Sequence, residues 1–114
     1  MKYALLMYQD EATLQKMPKE EMAKLSAEYQ AFGGDIQKSG KLILGQGLAP
    51  THSATTVRVR DGKTLTTDGP FAETKEQLGG VYIVEAKDLD DAIRVAASIP
   101  SARIGSIEVR PVWG

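Results

Sequence analysis

Thr55-Thr56-Val57-Arg58-Val59-Arg60-Asp61-Gly62-Lys63-Thr64-Leu65-Thr66-Thr67 is the stretch on which the fold turns. Thr55–Arg60 alternates, with Val57 and Val59 expected inward and Thr56, Arg58 and Arg60 outward. Asp61-Gly62 is a strong two-residue hairpin signal, because both central positions of the favoured turn need a positive φ. Lys63–Thr67 then returns as the partner strand. This hairpin sits between two halves that each read strand, helix, strand.

Upstream, Lys2–Tyr8 is apolar on both alternating faces: Tyr3, Leu5 and Met7 on one, Ala4, Leu6 and Tyr8 on the other. A strand of that kind is covered on both sides. Gln9–Pro18 is a polar connection with room for a short helical piece. A helix begins after Pro18, its N-terminus favoured by Glu20 and Glu21, its apolar stripe formed by Met22, Leu25, Tyr29, Phe32 and Ile36, and its stop at Gly40. Lys41–Leu48 reads as a second strand, where Gly45 and Gly47 mark a bulge or a close approach. Downstream, Asp68–Phe71 is a turn and Ala72–Gln77 is polar with the capacity for one helical turn. Gly79–Ala86 is a strand, Asp88 caps a second helix with Leu89, Ala92, Ile93, Ala96 and Ile99 inward, Pro100 ends it, and Ser106–Val112 is the last strand.

Without the hairpin, the order is β-α-β-β-α-β, the ferredoxin-like split unit, in an α+β class. Both helices then lie on one face of the sheet. The other face holds apolar side chains from the first, second and fifth strands. Several hundred Å² of exposed apolar surface matches or exceeds the largest patch on a typical monomer, so a second copy in a two-fold dimer is expected to cover it.

The chain has 114 residues, one domain over 1–114 by length. Fourteen basic residues against fifteen acidic leave a net charge of −1, which argues against a nucleic-acid or membrane footprint. There is no Cys and one His, so disulfides and thiol nucleophiles are excluded, no transition-metal site is expected, and no cofactor is implied. The apolar run Tyr3–Tyr8 is too short for a signal segment or a membrane span, and the expectation is a cytoplasmic protein.

Thr67-Asp68-Gly69-Pro70-Phe71-Ala72-Glu73-Thr74-Lys75-Glu76-Gln77-Leu78-Gly79-Gly80 resembles the signature of the DGPF proteins within the YCII-related family. The resemblance extends to Lys2–Tyr8, Thr56–Gly62 and Ile107–Trp113 and covers nearly the whole chain. It implies a dimeric α/β-barrel assembly and, through members encoded beside extracytoplasmic-function sigma factors, a regulatory setting. For the broader group it implies a His–Asp pair, the His early in the first helix and the Asp just before a Pro after the second. Here the helix opens Lys19-Glu20-Glu21-Met22 and Ile99 precedes Pro100, so that pair is missing.

Asp68, Glu73 and Lys75 lie close around one turn. Turn chemistry explains Asp68 if its carboxylate bonds nearby N–H groups. A functional reading makes Asp68 a catalytic carboxylate and Glu73 and Lys75 ligand-binding residues on an ordered loop beside a dimer cleft. His52 is the one side chain whose ordinary pKa lies near neutrality, a catalytic candidate against the plainer reading of a solvated loop residue. Tyr3, Tyr8 and Tyr82 read first as packing residues, with Tyr8 and Tyr82 able to turn a hydroxyl into a cavity. Arg58, Arg60 and Lys63 form a basic cluster that reads as a solvated edge device, with Arg58 the ligand-binding alternative. Gly62-Lys63-Thr64 lacks the first glycine of a P-loop, and Gly45-Gln46-Gly47 lacks the third glycine of a dinucleotide fingerprint. Gly80–Val84 lacks the basic residue and paired aromatics of an RNA-binding sheet.

Two function classes remain. One is a dimer that binds a small molecule in a cleft near the Asp68–Phe71 turn, with weak catalysis left open. The other is a non-catalytic regulatory or interaction protein associated with a sigma factor.

Overall fold

The doubly apolar segment Lys2–Gln9 forms β1, bonded antiparallel along both edges. The computed structural model covers residues 1–114. After β1 come α1 (Glu11–Gln15), α2 (Lys19–Lys38) and β2 (Leu42–Gly47). Next are β3 (Thr55–Arg60), β4 (Lys63–Asp68), β5 (Gln77–Glu85), α3 (Leu89–Ser98) and β6 (Ser106–Pro111). β2, β5, β1 and β6 make one four-stranded antiparallel sheet in that spatial order, the ferredoxin-like arrangement, and β3 and β4 pair separately. The α+β reading holds.

Register decides which side chains share a face. Tyr3 opposes Val84 and Pro111, Leu5 opposes Tyr82 and Val109, and Met7 opposes Gly80 and Ile107. Tyr3, Leu5, Met7 and Val84 are buried together with Phe32 and Ile36 of α2 and Ala92, Val95 and Ala96 of α3. Both helices therefore cover this face. The other face carries Ala4, Leu6 and Tyr8 of β1, Leu44 of β2, and Val81 and Ile83 of β5, none of them buried.

The local signals work as their chemistry requires. The Asp10 carboxylate caps α1 by accepting from Ala12 N at 3.1 Å, and Asp88 caps α3 by accepting from Asp91 N at 2.9 Å. Asp61 and Gly62 both have positive φ, 52° and 74°, the mirror-image turn that suits a twisted hairpin. Gly45 is a close approach, since a Cβ there would sit 2.7 Å from the Tyr82 ring, while the β2 bulge falls between Leu42 and Leu44.

Four expectations are corrected. Val57 and Val59 do not face inward: each is 60% exposed, because β3 and β4 form a separate two-stranded arm away from the main sheet. Ala72–Gln77 forms no helical turn, and Gln77 already belongs to β5. Leu89 and Ile93 of α3 are exposed, and the inward stripe is Ala92, Val95, Ala96 and, just beyond, Ile99. Met22, at the start of the α2 stripe, is exposed, and burial begins only at Phe32. The arm and the flat sheet give a radius of gyration of 16.0 Å, above the about 13 Å of a compact domain near this length.

Asp91 pins the start of β2 to the start of α3. Its side chain accepts from Lys41 Nζ at 2.5 Å and from Lys87 N at 3.1 Å, with Arg94 at 3.8 Å. The Lys41 hydrogen bond first, then the Lys87 N–H, hold this carboxyl below its ordinary value of 3.8, against the opposing effect of burial. A depressed carboxyl stabilises the fold above its unfolded pKa, and that contribution disappears as pH falls through the folded value.

Two measurements check this architecture. Acid titration of the unfolding midpoint between about pH 5 and pH 2 should show wild type losing stability more steeply than Asp91→Asn. An equal slope would remove Asp91 from the acid response. A Cβ on Gly105 would lie 2.2 Å from the Tyr8 carbonyl oxygen, whereas Gly33 of α2 has nothing within 4 Å. Denaturant unfolding should show Gly105→Ala destabilised by about 1–3 kcal/mol. Gly33→Ala should be stabilised by up to about 1 kcal/mol.

Candidate functional site

The segment after β4 is shaped by Gly69, whose φ of +94° is open to glycine and strained for other residues. Two bonds hold it against the residues at the start of β3: Gly69 N donates to Ala54 O at 2.7 Å, and Thr56 Oγ1 donates to Gly69 O at 2.9 Å. Pro70, Phe71 and Ala72 therefore stand opposite Leu48–Thr56 across a groove of about 600 Å³. Its floor is Tyr8 and Leu78, a cross-strand pair at the end of the uncovered sheet face. The volume lies in the range of small-molecule sites.

A single acidic residue ties both walls together. The Glu11 carboxylate accepts from Thr51 N at 2.9 Å and from Thr51 Oγ1 at 2.6 Å. Glu11 N donates to Gln77 Oε1 at 2.9 Å, and Gln77 Nε2 donates to Thr74 O at 2.6 Å. The short helix α1 thus fixes the 3-10 turn Thr51–Ser53 and the loop before β5 in one network. Glu11, Thr56 and Gln77 were not singled out by the sequence. Their only signal is the Asp10 cap that places Glu11 in a first helical turn.

Of the candidates drawn from the sequence, Tyr8 lies in the groove floor. Asp68 ends β4, exposed, next to Gly69, and its carboxylate accepts no hydrogen bond, so the turn is not built by it. His52 is exposed on the 3-10 turn, between the groove residues Thr51 and Ser53 but outside the lining. Glu73 and Lys75 are exposed on the loop and also outside the lining, although Ala72 and Thr74 belong to it. Arg58 is exposed on the arm. Tyr82 is on the opposite face of the sheet from Tyr8, edge-on to Phe32 with ring centroids 5.4 Å apart. Burial first, and Tyr29 second, raise its phenol above the ordinary value. The structure brings Tyr8 to the turn and separates Tyr82 from it.

A second groove, about 560 Å³, runs between α2 and α3 over Phe32, Ile36 and Val95. Its cations are already matched: Lys41 and Arg94 meet Asp91, and Arg103 meets Glu28. Where the broader group's His–Asp pair would sit, Lys19–Met22 is exposed and Ile99 is 1% exposed inside the core. Behind them the Tyr29 hydroxyl bonds the fully buried Ser101 hydroxyl.

Removal of Asp68's carboxylate should therefore be nearly silent for stability, within about 0.5 kcal/mol for Asp68→Ala. Thr56→Val should cost about 1 kcal/mol by deleting the donor to Gly69 O. Denaturant midpoints read both, and a larger loss for Asp68→Ala than for Thr56→Val would mean that the Asp68 carboxylate does build the turn.

Two comparisons with known proteins place the chain in a family. The family model described as "YCII-related domain" matches residues 1–114. An uncharacterised protein of Rhizobium meliloti (strain 1021) is 40% identical over 114 residues, covering 98% of this chain and 92% of that protein. With the whole chain matched, and a relative of this identity alongside, the protein belongs to the YCII-related family.

Proposed function

We propose that this protein is a homodimer that binds a small molecule in the groove beneath the Gly69–Phe71 turn, and that it binds without acid–base catalysis of the broader group's kind. The observation that carries the reading is the groove itself: about 600 Å³, braced through Glu11, and floored by Tyr8 and Leu78 on the uncovered sheet face. Tyr8 is the one titratable side chain in its lining, which supports binding over proton transfer. The Thr67–Gly80 segment supports a place in the DGPF branch of the family, and the absence of a helix long and apolar enough to cross a membrane is compatible with a cytoplasmic setting.

The dimer is supported by the uncovered face, where Ala4, Leu6, Leu44, Val81 and Ile83 lie together, and by the arm, where Val57 and Val59 are exposed on one side. A lone two-stranded hairpin is marginal in water, so the arm gains from packing on something. The same exposed arm favours a second reading, a regulatory protein whose partner, a sigma factor in the proposed setting, docks there.

Light scattering at micromolar concentration should give twice the chain mass, and Val81→Asp should yield a folded monomer. A wild-type monomer throughout that range would sink the dimer. In the dimer, Val57→Asp with Val59→Asp should weaken self-association; an unchanged dimer would leave the arm free and favour the regulatory reading. A thermal-shift screen against a metabolite library tests binding directly, since a ligand at one hundred times its Kd stabilises by about 2.7 kcal/mol. No shift anywhere in a broad library would count against the groove.

A further inference from the structure

Resting on the groove as a binding site, we infer that its ligand is uncharged, partly apolar, and a hydrogen-bond donor, and that the groove discriminates against carboxylates and phosphates. Of the six hydroxyls that line the groove, four have their proton committed elsewhere, while those of Tyr8 and Thr55 make no hydrogen bond. Thr51 Oγ1 donates to the Glu11 carboxylate at 2.6 Å, Ser53 Oγ to Pro50 O at 2.7 Å, Thr56 Oγ1 to Gly69 O at 2.9 Å, and Thr74 Oγ1 to Glu76 O at 2.6 Å. Carbonyl and ionised carboxylate oxygens only accept, so in all four pairs the hydroxyl must be the donor. Each hydroxyl has one proton and two lone pairs. These four therefore keep acceptor capacity for the groove and have no proton left to offer it.

Gln77 gives one Nε2 proton to Thr74 O and accepts from Glu11 N at Oε1, which leaves it one proton and one lone pair. An adjoining pocket shares Leu48, Pro50 and Gln77 with the groove, and on its wall lies Gln9, whose Oε1 is a buried acceptor with no donor partner. Among the side chains of this corner, uncommitted lone pairs outnumber uncommitted protons.

No lysine, arginine or histidine lines the groove. An anion entering it would give up its hydration and meet oxygens in place of cations, and burial of an unpaired charge is costly. A ligand with N–H or O–H donors exchanges water for those oxygens, and its apolar part meets Leu48, Phe71 and Leu78. A site built around polar groups rejects the analogue that leaves them unpaired.

Three probes on one scaffold separate these effects: phenylacetamide, an uncharged donor; methyl phenylacetate, an uncharged acceptor; and phenylacetate, an anion. Each is titrated into ¹⁵N-labelled wild-type protein at pH 7, following the backbone amides of Tyr8, Thr56 and Phe71. The amide should bind at least threefold tighter than the ester and at least tenfold tighter than the anion. Ala72→Trp, which narrows the groove from an exposed position, should abolish its shifts. Phenylacetate binding as tightly as the amide, or the ester matching it, would overturn the donor rule while leaving the groove as a site. If none of the three moves those amides, the groove reading falls and the inference falls with it.

Discussion

Strand β1 is satisfied along both edges, by β5 and by β6, and this single constraint orders the rest of the molecule. Its backbone needs no further partner, so its side chains alone decide what packs where. One face, Tyr3, Leu5 and Met7, is sealed by α2 and α3. The other face, Ala4, Leu6 and Tyr8, has no element of this chain over most of it. The close pairing also explains the glycines around β1. A Cβ on Gly80 would fall 2.1 Å from Met7 Cε, and one on Gly105 would strike the Tyr8 carbonyl. The sheet is tight where it crosses β1, and the register shift between Met7 and Tyr8 brings Leu78 opposite Tyr8 as the groove floor.

Much of the fold was legible because its signals are local. Asp61-Gly62 needs no tertiary context to form a turn, Pro18 and Pro100 bracket helices by their own chemistry, and Asp10 and Asp88 cap the helices that begin beside them. Alternation, by contrast, says that two faces differ and not which one is buried. That is why Val57 and Val59, expected inward, are exposed on the arm; on α3 the apolar stripe is wider than the buried face, and Leu89 and Ile93 fall outside it. The groove proposed as a site borders the turn that the sequence points to, but its lining differs from the residues the sequence suggests. The Asp68–Phe71 turn does form the groove wall, but the charged residues that attract the eye, Asp68, Glu73 and Lys75, are exposed to solvent. The bonds that build the wall join Glu11 to Thr51 and Thr56 to Gly69, and neutral hydroxyls carry no sequence signal for such pairing.

The two faces of the sheet also divide the chemistry. On the helix side, the position before Pro100 is a buried isoleucine, and the polar atoms of Tyr29 and Ser101 satisfy each other within the core. A buried hydroxyl pair of this kind removes a desolvation penalty. The groove between the helices pairs its cations in Lys41–Asp91 and Arg103–Glu28, and Asp35 is its one charged side chain without an ion pair. Acceptor capacity is also left on the uncovered side, in the hydroxyl oxygens of Thr51, Thr56 and Thr74.

The proposed association and binding would then be linked through one surface. In the proposed dimer, the partner lies on the face whose last residues, Tyr8 and Leu78, are the groove floor. Whatever a second copy does to the position of those two side chains changes ligand affinity, and linkage requires the ligand to change dimer affinity by the same factor. A partner that excludes water from the groove strengthens every hydrogen bond in it, because the local dielectric falls. The same exclusion raises the cost of an unpaired anion. Dimerisation on this face would thus sharpen the discrimination that the lining already makes, favouring neutral donors more strongly in the dimer than in the isolated chain.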